Sequence, residues 1–140
     1  VNRFHEQVMG VYFDDLDAFR ILHNARYLLL FERTLGSFWE HVGLPYDPTL
    51  HGDHHHLVRA NTIEYLTPVR GTGRVRVRVW VDRIGRTSLT FGFCMMPLDA
   101  DTVYAEGTRT LVRVDPNTGR PEPWSEEFRN RMAPWTREPA

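Results

Sequence analysis

Two hydrophobic periodicities divide this chain. Residues 3 to 12, running from Arg3 to Tyr12, read as a first strand. An acidic turn follows, Asp14-Asp15-Leu16-Asp17, and then Ala18-Phe19-Arg20-Ile21-Leu22. From about His23 to His41 the period becomes helical. Leu28, Phe31, Leu35, Phe38 and Val42 are spaced by 3, 4, 3 and 4 residues, which puts them on one helix face. Tyr27, Leu29, Leu30 and Trp39 widen that stripe well beyond one side, so the helix is expected to be enclosed by other structure. Gly43 and Leu44-Pro45 stop it, because glycine accepts a left-handed cap and proline cannot continue a helix.

Beyond a loop over residues 46 to 56, the pattern alternates with period two. Leu57 to Leu66 predicts a strand ended by Thr67-Pro68. Arg74 to Val81 sets valines on one side against arginines on the other. Ile84-Gly85-Arg86 is a turn, and Leu89, Phe91, Phe93 and Met95 alternate through the next strand. Residues 102 to 114 form the last long strand. Asp115-Pro116-Asn117-Thr118-Gly119 is a turn by composition, and Ser125-Glu126-Glu127-Phe128 opens a short terminal helix. One domain over residues 1–132 is expected, with a loose tail over 133–140. Strands joined by short turns make an antiparallel sheet, and a strongly apolar helix needs a sheet to cover it. The fold class is therefore α+β with one long central helix.

Composition changes this picture little. A chain of 140 residues is one domain long and can bury a core without metal or disulfide staples. The formal net charge of −1 recruits neither nucleic acid nor an anionic membrane. All 17 cations are arginine, a side chain suited to forked pairing with phosphate or carboxylate. Cys94 is the single cysteine, which excludes an internal disulfide and a cysteine zinc cluster; within an apolar strand it reads as a small buried hydrophobe. No apolar run reaches the ~18 residues of a membrane span. Val1-Asn2-Arg3-Phe4 lacks the pattern of a signal peptide, and the missing initiator Met leaves room for a short upstream piece. A cytoplasmic protein is the expectation.

The segment from Val11 to Leu28 resembles the signature of hot-dog-fold thioesterases, in the 4-hydroxybenzoyl-CoA thioesterase and acyl-CoA thioesterase branch. The matching residues are Asp15, Asp17, Asn24, Ala25, Tyr27 and Leu28, continued by Phe31-Glu32-Arg33. Later pieces agree in order: Ile63-Glu64-Tyr65-Leu66 with Pro68, Ile84 to Ser88, Ala105-Glu106-Gly107, and Val114-Asp115 before Thr118 to Pro121. The resemblance spans roughly residues 5 to 130. It implies a five-stranded antiparallel sheet wrapped around the long helix, followed by a short C-terminal helix. The chain departs from the pattern in the loop between aspartate and helix, which usually carries glycine and here holds Phe19-Arg20-Ile21.

By the same resemblance, Asp17 is the nucleophile or general base of thioester hydrolysis. The helix start at Asn24, with His23 beside it, is the oxyanion stabiliser. The substrate implied is an acyl-CoA or acyl-carrier-protein thioester, with no cofactor and no metal. The protein is expected to be a homodimer, or a homotetramer, with its active site at the subunit interface. Phe19 and Tyr27 are candidate substrate contacts. Glu64 either contacts substrate or pairs across strands. Arg74, Arg76 and Arg78 share one strand face and meet the phosphates of coenzyme A or form a solvated or interfacial face. The run His51-Gly52-Asp53-His54-His55-His56 lacks the separated, rigidly held ligands of a metal site and reads as a mobile loop near the pocket mouth. A non-catalytic acyl-binding protein is the alternative. A hot-dog hydratase would need a histidine one turn into the helix, which this chain does not have.

Overall fold

The structure, a computed structural model, describes residues 3–44 and 52–137. Strand β1 (His5–Val11) leads into a 3-10 turn (Phe13–Asp15) and then helix α1 (Arg26–His41). A second 3-10 turn (Gly52–His54) precedes four strands: β2 (His56–Tyr65), β3 (Gly73–Ile84), β4 (Ser88–Pro97) and β5 (Ala105–Arg113). Helix α2 (Glu126–Met132) and a 3-10 turn (Ala133–Trp135) close the described chain. The five strands form one antiparallel sheet in the order β1-β3-β4-β5-β2. None of the described helices is long and apolar enough to cross a membrane.

The alternation in β3 does what its pattern predicts. Val75, Val77, Val79 and Val81 are at most 2% exposed and form the floor on which α1 lies. They meet Leu89, Phe91, Phe93 and Met95 of β4 on the same face. Strand β3 runs on past Val81 to Ile84 through an irregularity in its pairing with β4. On the opposite face Trp80 lies over Gly92, where any Cβ would collide with the indole.

Helix α1 buries Tyr27, Leu30, Phe31, Thr34, Leu35 and Phe38. The buried stripe is rotated from the expected one: Leu28 and Val42 sit at its flank, partly exposed, while Leu30 and Thr34 lie within it. Thr34 is tolerated there because its hydroxyl donates to the Leu30 carbonyl at 2.9 Å. Glu32, Arg33, Gly36 and Glu40 are exposed, so the helix is covered on one side rather than enclosed. Gly43 ends it with φ of +81°, as the sequence required.

Two apolar clusters line up along α1. From the middle of the helix to its C-terminus, Phe31 stacks on Phe93 at 4.3 Å between centroids, and Phe38 meets Phe91 and Trp135 edge-on. Trp124, Phe128 and Met132 complete this aromatic cluster. Around its N-terminal half, Tyr27 and Leu30 meet Val11, Leu22, Val69, Val75 and Val77.

The expectation of a loose tail from residue 133 fails as far as residue 137. Trp135 is 7% exposed, and the Arg137 N–H donates to the Val81 carbonyl at 2.9 Å. Phe38 is fully buried among the rings of Trp39, Phe91 and Trp135, so Phe38→Ala should cost about 3–5 kcal/mol. Denaturant unfolding will read this as a lower midpoint, and an unchanged midpoint would contradict the packing described.

Candidate active site

The acidic turn and the start of α1 are built from backbone first. The Asp15 carboxylate is 7% exposed. It accepts the Tyr12 N–H at 2.7 Å and lies 3.7 Å from the Arg26 guanidinium. Its carbonyl accepts the His23 N–H at 2.9 Å. Asp15 therefore holds the two ends of the turn together, a structural task.

Between these ends the chain folds back on itself. Leu16 bridges Leu22, and the Asp17 N–H donates to the Ile21 carbonyl at 2.9 Å. The loop is tied to residues 69–71 by Leu22 N–H to Val69 O (2.9 Å) and Gly71 N–H to Arg20 O (3.0 Å). Arg20 has φ of +60°, and among the described residues it is the one non-glycine at positive φ. That conformation costs a residue with a Cβ about 1 kcal/mol or more. The missing glycine noted in the sequence is thus resolved geometrically: the turn keeps a left-handed backbone and an arginine bears it.

Asp17 caps this loop. Its Oδ1 accepts the N–H groups of Phe19 (2.8 Å) and Ile21 (3.4 Å). Its Oδ2 has no hydrogen-bond partner among the described residues. Asp17 lines a cleft of about 280 Å³ with Ile21, Leu22, Asn24, Tyr27, Tyr65, Thr67 and Pro68. Tyr65 belongs to β2; its hydroxyl donates to the Asn24 carbonyl at 3.1 Å, and its ring meets Tyr27 edge-on at 4.9 Å. Burial raises the Tyr27 hydroxyl above its ordinary pKa, so the cleft wall is a neutral phenol. The Asn24 N–H makes no backbone hydrogen bond among the described residues. Asn24 stands one residue ahead of Ala25, the N-cap of α1, and so close to the positive end of the helix dipole.

The other sequence candidates divide. Asp17, Asn24 and Tyr27 are brought together, and Phe19 stands at the loop, 82% exposed. His23 lines a separate cleft with Asp14, Leu16, Ala25, Arg26 and Leu29. Its Nδ1 accepts the Ala25 N–H at 3.0 Å, so the ring caps its own turn. Glu64 is exposed on β2 and pairs in register with Glu106, which removes the expected cross-strand ion pair. Arg76 is committed to structure, donating to the Pro97 and Ala100 carbonyls at 2.8 and 2.6 Å. Arg74 is exposed and lines none of these clefts. Tyr65, Thr67 and Pro68 enter the cleft through tertiary placement; in the sequence Tyr65 and Pro68 stand in the resembling segment and Thr67-Pro68 ends a strand, but local pattern does not say which loop they face.

Over its described part the histidine run is a 3-10 turn and strand start tied down by hydrogen bonds, where a loop near the pocket mouth is expected from sequence; His51 lies outside the described residues. Asp53 accepts the Ser125 N–H at 3.0 Å and the Arg113 guanidinium at 3.3 Å, joining this turn to the start of α2. Ser125 in turn caps α2 by accepting the Phe128 N–H at 3.1 Å. His55 bonds the Val114 carbonyl, and His56 packs between Trp39 and Trp124 with its pKa lowered by burial. No group of three or more His, Cys, Asp or Glu side chains is placed to hold a metal among the described residues. Burial also pushes the Cys94 thiol up, away from thiolate chemistry.

An antiparallel sheet carrying α1 on one face, with an acidic loop folded against the helix start, defines a hot-dog architecture. The thioesterase-like superfamily model matches residues 11–132, and the chain belongs to that family. Solved structures agree over nearly the whole chain. A predicted thioesterase from Bacillus stearothermophilus is 21% identical with a TM-score of 0.82, covering 99% of this chain and 100% of that one. A thioesterase from Thermus thermophilus, solved with coenzyme A and Zn, is 25% identical with a TM-score of 0.78, covering 96% and 95%. A 1,4-dihydroxy-2-naphthoyl-CoA thioesterase from Synechocystis shares the fold at 10% identity and a TM-score of 0.82, covering 94% and 96%.

Asp15→Ala removes a buried acceptor and strands the Tyr12 N–H. A loss of about 1–3 kcal/mol is expected by chemical denaturation, and full retained stability would refute the structural role given to Asp15.

Proposed function

We propose that the protein hydrolyses an acyl-CoA or acyl-carrier-protein thioester to a carboxylic acid and a thiol, with Asp17 as nucleophile or general base. One observation carries this: Asp17, with one carboxylate oxygen unpaired, lines the same cleft as Asn24, whose N–H has no partner among the described residues and which stands just ahead of the N-cap of α1. In the nucleophilic form, the Asp17 oxygen attacks the thioester carbonyl, the tetrahedral oxyanion collapses, and the thiolate leaves. Water then cleaves the mixed anhydride and restores the carboxylate. In the general-base form, Asp17 takes a proton from water as that water attacks, and the proton passes to the departing thiolate. Either route puts negative charge on the carbonyl oxygen, where the Asn24 N–H is worth roughly 3 kcal/mol as an oxyanion donor. Family membership and the coenzyme A complex of the 25%-identical relative support the choice of substrate class.

Asp17→Asn tests the chemistry with little risk to the fold, since an amide oxygen still accepts the Phe19 and Ile21 N–H groups. Thiol release from a panel of acyl-CoAs should fall by about 10²–10⁴ in that variant; undiminished turnover would sink the mechanism. Binding without hydrolysis is the second reading, favoured by the engagement of Asp17 Oδ1 in its own loop. Its signature is tight coenzyme A binding by wild type with no thiol release.

We also propose a homodimer, or a tetramer built from it. Strand β2 is the sheet edge beside β5, and its other side has no partner among the described residues. It exposes Leu57 (57%), Val58 (49%) and Tyr65 (49%), with Leu66 (51%) just beyond. An open edge bearing apolar side chains favours pairing with a second copy. Tyr65 belongs to both edge and cleft, so such pairing would bring the cleft to the subunit junction. Light scattering at micromolar concentration should give a mass at least twice the 16.4 kDa of the chain; a monomer at every concentration would overturn this.

A further inference from the structure

We infer that Arg20 forms an anion subsite beside Asp17, one that takes an oxyanion group, carboxylate or phosphate, of the bound ligand. The inference rests on the thioesterase reading for the identity of that ligand but not for the binding itself. A second cleft, about 460 Å³ in volume, is lined by Phe13, Asp14, Leu16, Asp17, Arg20, Gly71 and Thr72. It shares Asp17 with the cleft that holds Asn24 and Tyr27. Ligand lying along both would pass the proposed reacting carboxylate where the clefts meet, with one end beside Asn24 and Tyr27 and the other at Arg20.

Three observations point to the side chain rather than the backbone of Arg20. Its φ of +60° is a conformation that glycine adopts freely and arginine resists, so nothing in the turn calls for this residue type. The turn itself is held by main-chain bonds, Arg20 N–H to Asp17 O and Gly71 N–H to Arg20 O, both 3.0 Å. The guanidinium is uncommitted: among the described residues it makes no hydrogen bond, ion pair or aromatic contact. Arg26, Arg76, Arg78, Arg109, Arg113 and Arg131 are engaged with carboxylates; other arginines, such as Arg33 and Arg74, are uncommitted like Arg20 among the described residues but line neither cleft that contains Asp17.

Charge sets the condition for an anion here: two carboxylates and one cation line the cleft, so an oxyanion is held only by direct contact with the guanidinium. Asp14 and Asp17 line the same cleft, neither is ion-paired with Arg20, and the two carboxylates alone would repel any ligand bearing phosphate or carboxylate. Arg20 is the one cation lining it. A guanidinium presents a planar fork matched to an oxyanion, and an unpaired one is free to receive it.

Arg20→Gly is the test variant, because glycine keeps the left-handed turn while deleting the cation. Hydrolysis should be compared for butyryl and glutaryl thioesters, each on coenzyme A and on pantetheine. If the subsite holds an acyl carboxylate, Arg20→Gly raises KM about tenfold for both glutaryl thioesters and spares the butyryl ones. If it holds a coenzyme A phosphate, KM rises for both coenzyme A thioesters and pantetheine thioesters are spared. Arg20→Lys should recover part of the loss. An equal loss on all four substrates, butyryl-pantetheine included, or no loss on any, overturns the proposal. Should wild type hydrolyse none of them, the thioesterase reading is judged on the wider acyl-CoA panel and the subsite on binding alone. Calorimetric binding of coenzyme A against pantetheine, and of glutarate against butyrate, then decides for the subsite. An affinity drop in Arg20→Gly confined to the anionic member of a pair supports it, and equal affinities overturn it.

Discussion

The stacking of Phe31 on Phe93, with Phe38 wedged against Phe91 and Trp135, fixes where α1 lies on the sheet. A helix resting on a floor of valines has little shape to hold its position along its own axis, since branched aliphatic side chains pack acceptably at several offsets. Large rings do not, because their volume must fall into one place at interior density. Once these rings are seated, the helix N-terminus has a fixed position relative to Tyr65 at the end of β2 and to the Asp17 loop. The proposed oxyanion donor and the proposed attacking carboxylate therefore depend on aromatic contacts made half a helix away.

The two ends of α1 are built differently. Near its C-terminus the aromatic cluster is closed over by α2 and Trp135, and Asp53 ties the turn before β2 to the cap of α2. Near its N-terminus the cluster is smaller and largely aliphatic, and beyond it stand Phe13 at 86% and Phe19 at 82% exposure. The one strained non-glycine backbone among the described residues is in this second region. Stability concentrated at one pole allows the other to carry exposed rings, an uncommitted guanidinium and a half-used carboxylate without unfolding the domain.

Most of the sheet was legible in the sequence because its signals are local. The valine alternation of β3 and the glycine cap at Gly43 are written in neighbouring residues and need no tertiary knowledge. The serine cap of α2 is legible in the same way. The helix face lies slightly rotated from the one its pattern suggests because Thr34 looks polar in sequence, whereas in place it is fully buried with its hydroxyl satisfied by the Leu30 carbonyl. Arg109 escaped for a related reason. Alternation marks it as an inward position, but only the fold reveals Asn61, Glu32 and the Phe31 ring around it. Residues 133–137 pack although their proline suggests a loose end, because the Trp135 ring lies against Phe38 and His41.

The candidate site was legible in its chemistry and not in its walls. Asp17 and Asn24 stand in one short segment, so motif and spacing find them together. Tyr65, Thr67, Pro68 and Gly71 come from chain more than forty residues later, joined through hydrogen bonds such as Gly71 N–H to Arg20 O. His23 shows the opposite error: it is adjacent to Asn24 in sequence, yet one peptide further back the turn faces another cleft. Adjacency along the chain predicts shared chemistry poorly wherever the backbone reverses within five residues, as it does between Asp17 and Leu22. What decides membership of the cleft is which side of that reversal a side chain leaves from, and Arg20 leaves it from a backbone conformation that few residue types other than glycine would take.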